Sequence, residues 1–219
     1  MTEPRDAAQL GLLLDYGGVL TTPVGKSFFA WEDEQGLERG EVLRLVREAY
    51  ADADGGIVGR LERGEIETAE FDAELARLLA ERGRPVPEGR LVEGMFAHVR
   101  PADAMWEVAK RARDAGVRVG LLSNSWGTGI SYRDGMDAIF DVQVISAEVG
   151  LRKPDPAIYQ LAAQRLGLPP SRCAFVDDLP RNVEVAEELG MFGVVHAGDA
   201  VATAQRLASF LPVDPADVG

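Results

Sequence analysis

The feature that most constrains the fold of this chain is an alternation between short apolar runs and longer amphipathic segments. The runs are four to six residues long and cover residues 10–14, 117–122, 141–145, 173–176 and 193–196. Runs of this length, flanked by glycine or aspartate, are typical of strands buried in a parallel sheet. Because helical patterns separate them, we predict a doubly wound, five-stranded parallel sheet of the α/β class, Rossmann-type in architecture.

Helices are predicted after the later strands and before the second one. They cover residues 101–115, 156–166, 179–189 and 201–211. Gly116, Gly167 and Gly190 directly follow the first three, where helices commonly end. Asp155 is suited to cap the second helix and Pro156 to begin it. In such sheets ligands bind at the carboxyl ends of the strands.

Residues 22–96 interrupt the alternation, because they contain only helical patterns, at residues 27–35, 41–51 and 68–81. An insertion directly after the first strand would lie over the carboxyl end of that strand. We therefore predict two domains, an α/β core of residues 1–21 and 97–219 and a helical cap of residues 22–96. Phe28, Phe29 and Trp31 in the first cap helix are interpreted as cap packing, with a role in lining a pocket as the alternative.

Polar residues stand where the predicted strands end and where the following helices begin. They are Asp15, Ser123, Asn124, Lys153, Asp177, Asp178 and Asn182. Any one of them alone would be interpreted as a turn former or a helix cap. Since the carboxyl ends of parallel strands meet at one edge of the sheet, the ordered set indicates a single shared site.

This ordered set resembles the haloacid dehalogenase (HAD) superfamily, in the branch that carries a helical cap after the first motif. The resemblance covers nearly the whole chain and rests on LLLDYGGVL, VGLLSN, GLRKPDPAIY and FVDDLPRN, the last followed by an apolar helix and LGM. Most relatives are magnesium-dependent phosphohydrolases that pass through an aspartyl-phosphate. The resemblance therefore implies a hydrolase that uses Mg²⁺ and acts on a small phosphorylated substrate.

The resemblance also implies roles for individual residues. Asp15 would be the nucleophile, and Lys153 would be the second catalytic residue. Asp15, the Gly17 carbonyl, Asp177 and Asp178 would bind Mg²⁺, the last directly or through water. The phosphoryl group would be held by Ser123, Asn124 and Lys153 and by the backbone at Gly17 and Gly18, with Asn182 in a supporting role.

The chemistry of these residues is consistent with that assignment. An aspartate carboxylate is anionic at pH 7 and needs no general base before it attacks phosphorus. Its repulsion by the phosphate dianion would be offset by Mg²⁺ and by the lysine charge, and hard oxygen ligands suit Mg²⁺. Gly17 and Gly18 allow backbone N–H groups to approach the phosphoryl oxygens, and Lys153 precedes a helix N-terminus that favours anions.

One position departs from the pattern of the phosphatases. They carry a second aspartate two residues after the nucleophile, as general acid and base, and this chain has Gly17 there. General acid–base assistance contributes about 10²–10⁴-fold in rate. Its loss predicts a preference for aryl and acyl phosphates over alkyl phosphates, unless Tyr16, Thr21 or a cap residue substitutes.

The missing acid leaves two other interpretations open. One is a non-catalytic phosphate-binding or regulatory protein that keeps the HAD fold. The other is a metal-independent 2-haloacid dehalogenase, since halide departs without a proton; the paired Asp177 and Asp178 would then be superfluous. Arg152 and Arg181 flank the predicted site, either exposed to solvent or adding charge for a phosphate.

Composition limits the partners. The 219 residues include 36 acidic and 23 basic side chains, and the net charge of −13 disfavours nucleic acids and membrane surfaces as partners. The single cysteine, Cys173, cannot form an intrachain disulfide and fits a reducing compartment. No apolar run approaches the length of a membrane span. We expect a cytoplasmic protein, and no pattern specifies its oligomeric state.

Overall fold

Five parallel strands form the centre of the fold in the computed structural model, which describes residues 7–51, 55–87, 89–127, 132 and 135–214. The strands are β1 (Gly11–Leu14), β2 (Arg118–Ser123), β3 (Val142–Ile145), β4 (Cys173–Asp177) and β5 (Phe192–Val195). Their order in the sheet is β3-β2-β1-β4-β5, so β1 is central. The predicted doubly wound α/β fold is confirmed, and each strand lies within one residue of its predicted bounds.

Helices follow the strands as the alternation predicts. In the described residues they are α1 (Val24–Gln35), α2 (Glu41–Ala51), α3 (Gly56–Glu62), α4 (Thr68–Glu81), α5 (Leu91–Phe96), α6 (Asp103–Asp114), α7 (Ser146–Val149), α8 (Pro156–Arg165), α9 (Pro180–Glu188) and α10 (Ala200–Leu207). The short helices α3, α5 and α7 were not predicted, because one or two turns carry too little periodicity to be recognised. Helix α6 begins later than predicted, since Pro101 forms a β-bridge with Thr21. None of the helices in the described residues is long and apolar enough to cross a membrane.

The strand register brings the polar strand ends to one level. Leu14 at the end of β1 is aligned with Leu121 in β2 and with Val176 in β4. The residues that come next, Asp15 and Asp177, therefore leave their strands side by side. This register explains why the polar residues at the strand ends lie at the same edge of the sheet, as predicted.

Alternating side chains of β1 fix the sheet between two layers of helices. Leu12 and Leu14 belong to the apolar cluster that includes residues of α6 and α10, whereas Leu13 belongs to the cluster of α8 and α9. All three leucines are fully buried, and each contributes about 1.5–3 kcal/mol. Strand β1, which directly precedes Asp15, is thus a rigid support for that residue.

Helices α1–α5 lie between β1 and β2 and pack around an apolar cluster of their own, which includes Phe28, Trp31 and Phe71. Helix α5 is short, and Asp72 of α4 stabilises its start by accepting the N–H groups of Leu91 and Val92, both at 3.0 Å. Among the described residues of this segment the regular elements are all helices, as the pattern predicts. Its role as a separate cap domain stays a prediction.

Candidate active site

Asp15 lies where the central strand ends. Its N–H group donates to the carbonyl of Val176 at 2.9 Å, so the backbone is held to β4 one residue beyond the strand. The chain then forms a tight turn over Tyr16–Leu20. Gly18 in this turn has a φ of 78°, and a Cβ atom there would lie 2.3 Å from Oδ2 of Asp178. Glycine is therefore required by the backbone and by the approach of the Asp178 carboxylate.

The Lys153 ammonium group joins the ends of β1, β2 and β4. It is fully buried and donates to Oδ1 of Asp15 at 2.6 Å, to Oδ2 of Asp177 at 2.7 Å and to the carbonyl of Leu122 at 2.9 Å. Although burial lowers the pKa of Lys153, the attraction of Asp15 and Asp177 raises it above its ordinary value. The lysine is therefore charged, and its three N–H groups are all donated to protein oxygens.

Asn124 holds the backbone of Lys153 in place. Its Nδ2 donates to the Lys153 carbonyl at 3.0 Å, and its Oδ1 accepts the Lys153 N–H at 2.8 Å. This two-point contact fixes the lysine stem from the loop that follows β2. The side chain of Asn124 thus positions Lys153, and the direct phosphate contact expected of Asn124 stays a prediction.

Asp177 is fully buried and oriented by Asn182. Its Oδ1 accepts the N–H of Leu179 at 2.9 Å, and Asn182 Nδ2 lies 3.0 and 3.1 Å from the two carboxylate oxygens. Asn182 Oδ1 is also buried, and the described residues give it no hydrogen-bond donor. The predicted supporting role of Asn182 corresponds to this contact, and an acceptor without a donor is left at the site.

Three carboxylates converge at this point. One ligand oxygen each from Asp15, Asp177 and Asp178 lies within 4.8 Å of the others. Burial raises the pKa of Asp15 to about 7, against the opposing attraction of Lys153, and burial together with the charge of Asp177 raises the pKa of Asp178 to about 6. A cluster of hard oxygen ligands beside an acceptor that needs a donor, Asn182 Oδ1, fits a hydrated Mg²⁺ ion.

A cavity of about 560 Å³ opens from these carboxylates towards α1 and α2. The predicted site residues on its wall are Asp15, Gly17, Ser123, Asn124, Lys153, Asp178 and Asn182. Asp177 lies beneath them through its contacts with Lys153 and Asn182, and Gly18 touches Asp178. The structure therefore brings all nine predicted site residues together at one edge of the sheet.

The two flanking arginines differ in their contacts. Arg152 donates to the buried Glu62 carboxylate at 2.6 Å, so its guanidinium is held by a residue of α3 rather than exposed to solvent. Arg181 lines the cavity, where its charge could reach an anion. Of the aromatic residues in the first helix, Phe28 lines the cavity, whereas Trp31 packs in the cluster of α1–α5 against Gly94.

Three aromatic residues that line the cavity, Phe96, Trp126 and Tyr132, were missed by sequence reasoning. Trp126 follows Asn124 by two residues and lines the cavity, and Tyr132 lines it as well. The Tyr132 hydroxyl donates to Oγ of Ser123 at 3.4 Å, and its ring lies 4.7 Å from that of Tyr16. The nearness of Trp126 to the predicted phosphate-binding residues Ser123 and Asn124 was the available signal for that residue; Tyr132 had none.

A buried lysine bridges the carboxylate that follows the central strand to a carboxylate of the neighbouring strand. This charged cluster lies at the carboxyl edge of the sheet, where α/β proteins bind their ligands. The chain belongs to the haloacid dehalogenase-like hydrolase family, whose model matches residues 10–190.

Known proteins agree with this membership. The chain is 32% identical over 185 residues to acyl-CoA dehydrogenase family member 10 of Mus musculus, covering 82% of this chain and 17% of that protein. It is 30% identical over 147 residues to the glyceraldehyde 3-phosphate phosphatase of Methanopyrus kandleri, covering 61% of this chain and 60% of that one. The chain thus spans less than two thirds of the length of either relative.

A solved structure shares the fold. It is a HAD family enzyme of Bacteroides thetaiotaomicron in complex with magnesium and inorganic phosphate, with a TM-score of 0.63 and 22% identity. The alignment covers 87% of this chain and 96% of that one. At this identity the likeness shows the fold alone.

Proposed function

We propose that this chain hydrolyses a phosphomonoester in a Mg²⁺-dependent reaction, with Asp15 as the nucleophile and residues 22–96 as a cap over the site. The observation that carries the proposal is the buried bridge of Lys153 between Asp15 and Asp177, with Asp178 at the same point. The phosphatase among the relatives and the neighbour that holds magnesium and phosphate add support.

In the first step an Asp15 oxygen forms a bond to phosphorus. The bond between phosphorus and the leaving-group oxygen breaks, and its electron pair departs with that oxygen. A water molecule then attacks the phosphorus of the aspartyl-phosphate, and the bond between phosphorus and the Asp15 oxygen breaks. This step releases inorganic phosphate and restores the Asp15 carboxylate, and the proton that the water loses passes through solvent to the leaving-group oxygen. The Ser123 hydroxyl and the backbone at Gly17 and Gly18 would hold the phosphoryl oxygens.

Lys153 has two tasks in this scheme. Its positive charge offsets the charges of Asp15 and Asp177. Its hydrogen bond to Asp15 fixes the orientation of that carboxylate, and its hydrogen bonds to Leu122 and Asp177 hold the ammonium group in place. The metal, held by Asp15, the Gly17 carbonyl, Asp177 and Asp178, would supply electrostatic stabilisation of the phosphoryl charge. Asn124 and Asn182 keep the lysine and Asp177 in place.

The proposal is tested by measuring phosphate release from a panel of alkyl, aryl and acyl phosphates with and without Mg²⁺. Asp15→Asn should lower the rate by more than about 10³-fold, as removal of a nucleophile does in other enzymes. Asp33→Asn is the matched control, since Asp33 lies exposed on α1 and pairs with the exposed Arg39 that follows the helix. Calorimetric titration with Mg²⁺ reports metal binding independently of turnover.

Three results would contradict the proposal, each in its own way. Phosphate bound without turnover of any ester favours the non-catalytic interpretation. Chloride released from 2-chloropropionate without metal favours the dehalogenase. Hydrolysis that Asp15→Asn leaves unchanged removes Asp15 from the mechanism.

A further inference from the structure

We infer that the cavity selects phosphomonoesters whose leaving group is a neutral, apolar body of one or two rings, in preference to sugar and polyol phosphates. The inference rests on the proposed function, because it assigns the phosphoryl group to the Asp15 end of the cavity. Three features of the structure carry it: the composition of the wall, the position of Trp126 and the chemistry at residue 17.

Apolar side chains form most of the wall beyond the carboxylates. They include Val24 and Phe28 of α1, Val46 of α2, Phe96 of α5, Trp126 of the loop after β2 and Leu179 of the loop after β4. A volume of about 560 Å³ lies in the range of small-molecule sites, roughly 300–1,000 Å³. Two fused rings and a phosphoryl group fit such a space.

The apolar wall begins directly beside the predicted phosphate-binding residues. Trp126 follows Asn124 by two residues, and its ring lies 5.6, 5.7 and 5.6 Å from the rings of Phe28, Phe71 and Phe96. Its contacts with Phe28 and Phe71 are edge-to-face. Rings fixed by one another in this way present a preorganised surface to an aromatic or alicyclic body.

The polar side chains on the same wall offer little to a sugar. Glu62 is paired with Arg152, and the hydroxyl of Thr21 accepts the N–H of Gly18 and donates to the carbonyl of Thr22. Sugar hydroxyls enclosed by the apolar side chains would lose hydrogen bonds to water without replacing them. Arg47 and Arg181 also line the cavity, and their charges favour phosphoryl oxygens over uncharged hydroxyl groups. The hydroxyl of Tyr132 is engaged with Oγ of Ser123.

Gly17 points to the same class of substrate through its chemistry. Because it offers no proton to the leaving group, esters of acidic alcohols such as phenols react best. An aryl phosphate satisfies this requirement and fills the apolar wall. Aliphatic acyl phosphates have an acidic leaving group but do not fill the apolar wall.

The experiment separates binding in the apolar cavity from leaving-group acidity. Benzyl phosphate and glycerol 3-phosphate both release an alkyl alcohol, so a difference between their KM values reports the cavity. We expect the KM for benzyl phosphate to be at least about tenfold lower than the KM for glycerol 3-phosphate. Val46→Thr, which keeps the shape of the side chain, and Trp126→Ala should raise the KM for benzyl phosphate by a larger factor than the KM for glycerol 3-phosphate. Val201→Thr is the matched control, since Val201 is 40% exposed on α10.

Binding of phosphonates keeps the inference separate from the proposed function. In calorimetric titrations with Mg²⁺, benzylphosphonate should bind at least about tenfold more tightly than methylphosphonate, whether or not esters are turned over. Turnover with equal KM values for both esters overturns the inference and leaves the proposed function standing. Preferential binding of benzylphosphonate without turnover of any ester supports the inference about the cavity and overturns the proposed function. Absence of both ester turnover and phosphonate binding overturns both.

Discussion

Glu62→Gln is the change that best tests how helices α1–α5 are fixed to the sheet. Glu62 is the last residue of α3, and its side chain is 1% exposed. The side chain of Arg152, which immediately precedes Lys153, is 12% exposed and donates to the Glu62 carboxylate at 2.6 Å. The Glu62 carbonyl also accepts from Oγ of Ser146, and that oxygen accepts the N–H of Ser125 at 2.8 Å. The end of α3 is therefore joined to the loop after β2 through Ser125, to the start of α7 through Ser146 and to the loop after α7 through Arg152.

The structure gives an expected size for the effect. Removing one partner of a buried ion pair costs about 3–5 kcal/mol, because the other charge is left without compensation. Glutamine keeps the shape of the side chain and Arg152 keeps some contact with water, so the lower end, about 3 kcal/mol, applies. In a chain of this length each kcal/mol shifts the unfolding midpoint by roughly 2–4 °C, which predicts a fall of roughly 6–12 °C.

The measurement is thermal unfolding of four proteins: wild type, Glu62→Gln, Arg152→Met and the double variant. The double variant should lose less stability than the sum of the single losses, since both single variants break the same contact. Glu74→Gln is the control, because the Glu74–Arg77 pair is exposed on α4 and its removal should leave the midpoint unchanged. A midpoint for Glu62→Gln equal to that of Glu74→Gln would refute the reasoning from burial.

Two further predictions concern residue 17 and the cysteine. Gly17 has a φ of −70°, and among the described residues a Cβ atom there would meet Val24 Cγ2 alone, at 3.2 Å, so Gly17→Asp should be tolerated. Because the new carboxyl group can donate a proton, the variant should raise kcat for glycerol 3-phosphate at least about tenfold and leave kcat for phenyl phosphate within twofold. Phosphate release measures both. Burial raises the pKa of the Cys173 thiol to about 12, so only about 10⁻⁴ of it is thiolate at pH 8. Iodoacetamide should therefore label Cys173 in urea but not in the native protein, and labelling of the native protein would contradict its burial.

The sequence predicted the sheet and the position of Asp15 because both depend on local signals. Each strand is a short apolar run, and in a doubly wound sheet the residue after a run lies at the ligand-binding edge. Asp15, Lys153 and Asp177 could thus be assigned to one site before their 2.6 and 2.7 Å contacts were known.

What the sequence did not predict depends on contacts between distant segments. Glu62 and Arg152 are 90 residues apart, and nothing near either one indicates the pairing. The two hydrogen bonds of Asn124 with the Lys153 backbone span 29 residues and give its side chain a positioning task. Helix α5 depends on Asp72 of α4, so its own six residues carry too weak a pattern.

The charges at the site explain how an acidic chain could bind a phosphate. Asp15, Asp177 and Asp178 carry three negative charges when ionised, and Lys153 balances only one of them. A phosphate dianion therefore meets a repulsive site, in a protein whose net charge is −13, until a divalent cation binds. Since the apolar wall offers attraction that does not depend on charge, the leaving group would supply binding energy that the electrostatic field cannot. This argument favours substrates with a single phosphoryl group and a neutral body over bisphosphates and other highly charged esters.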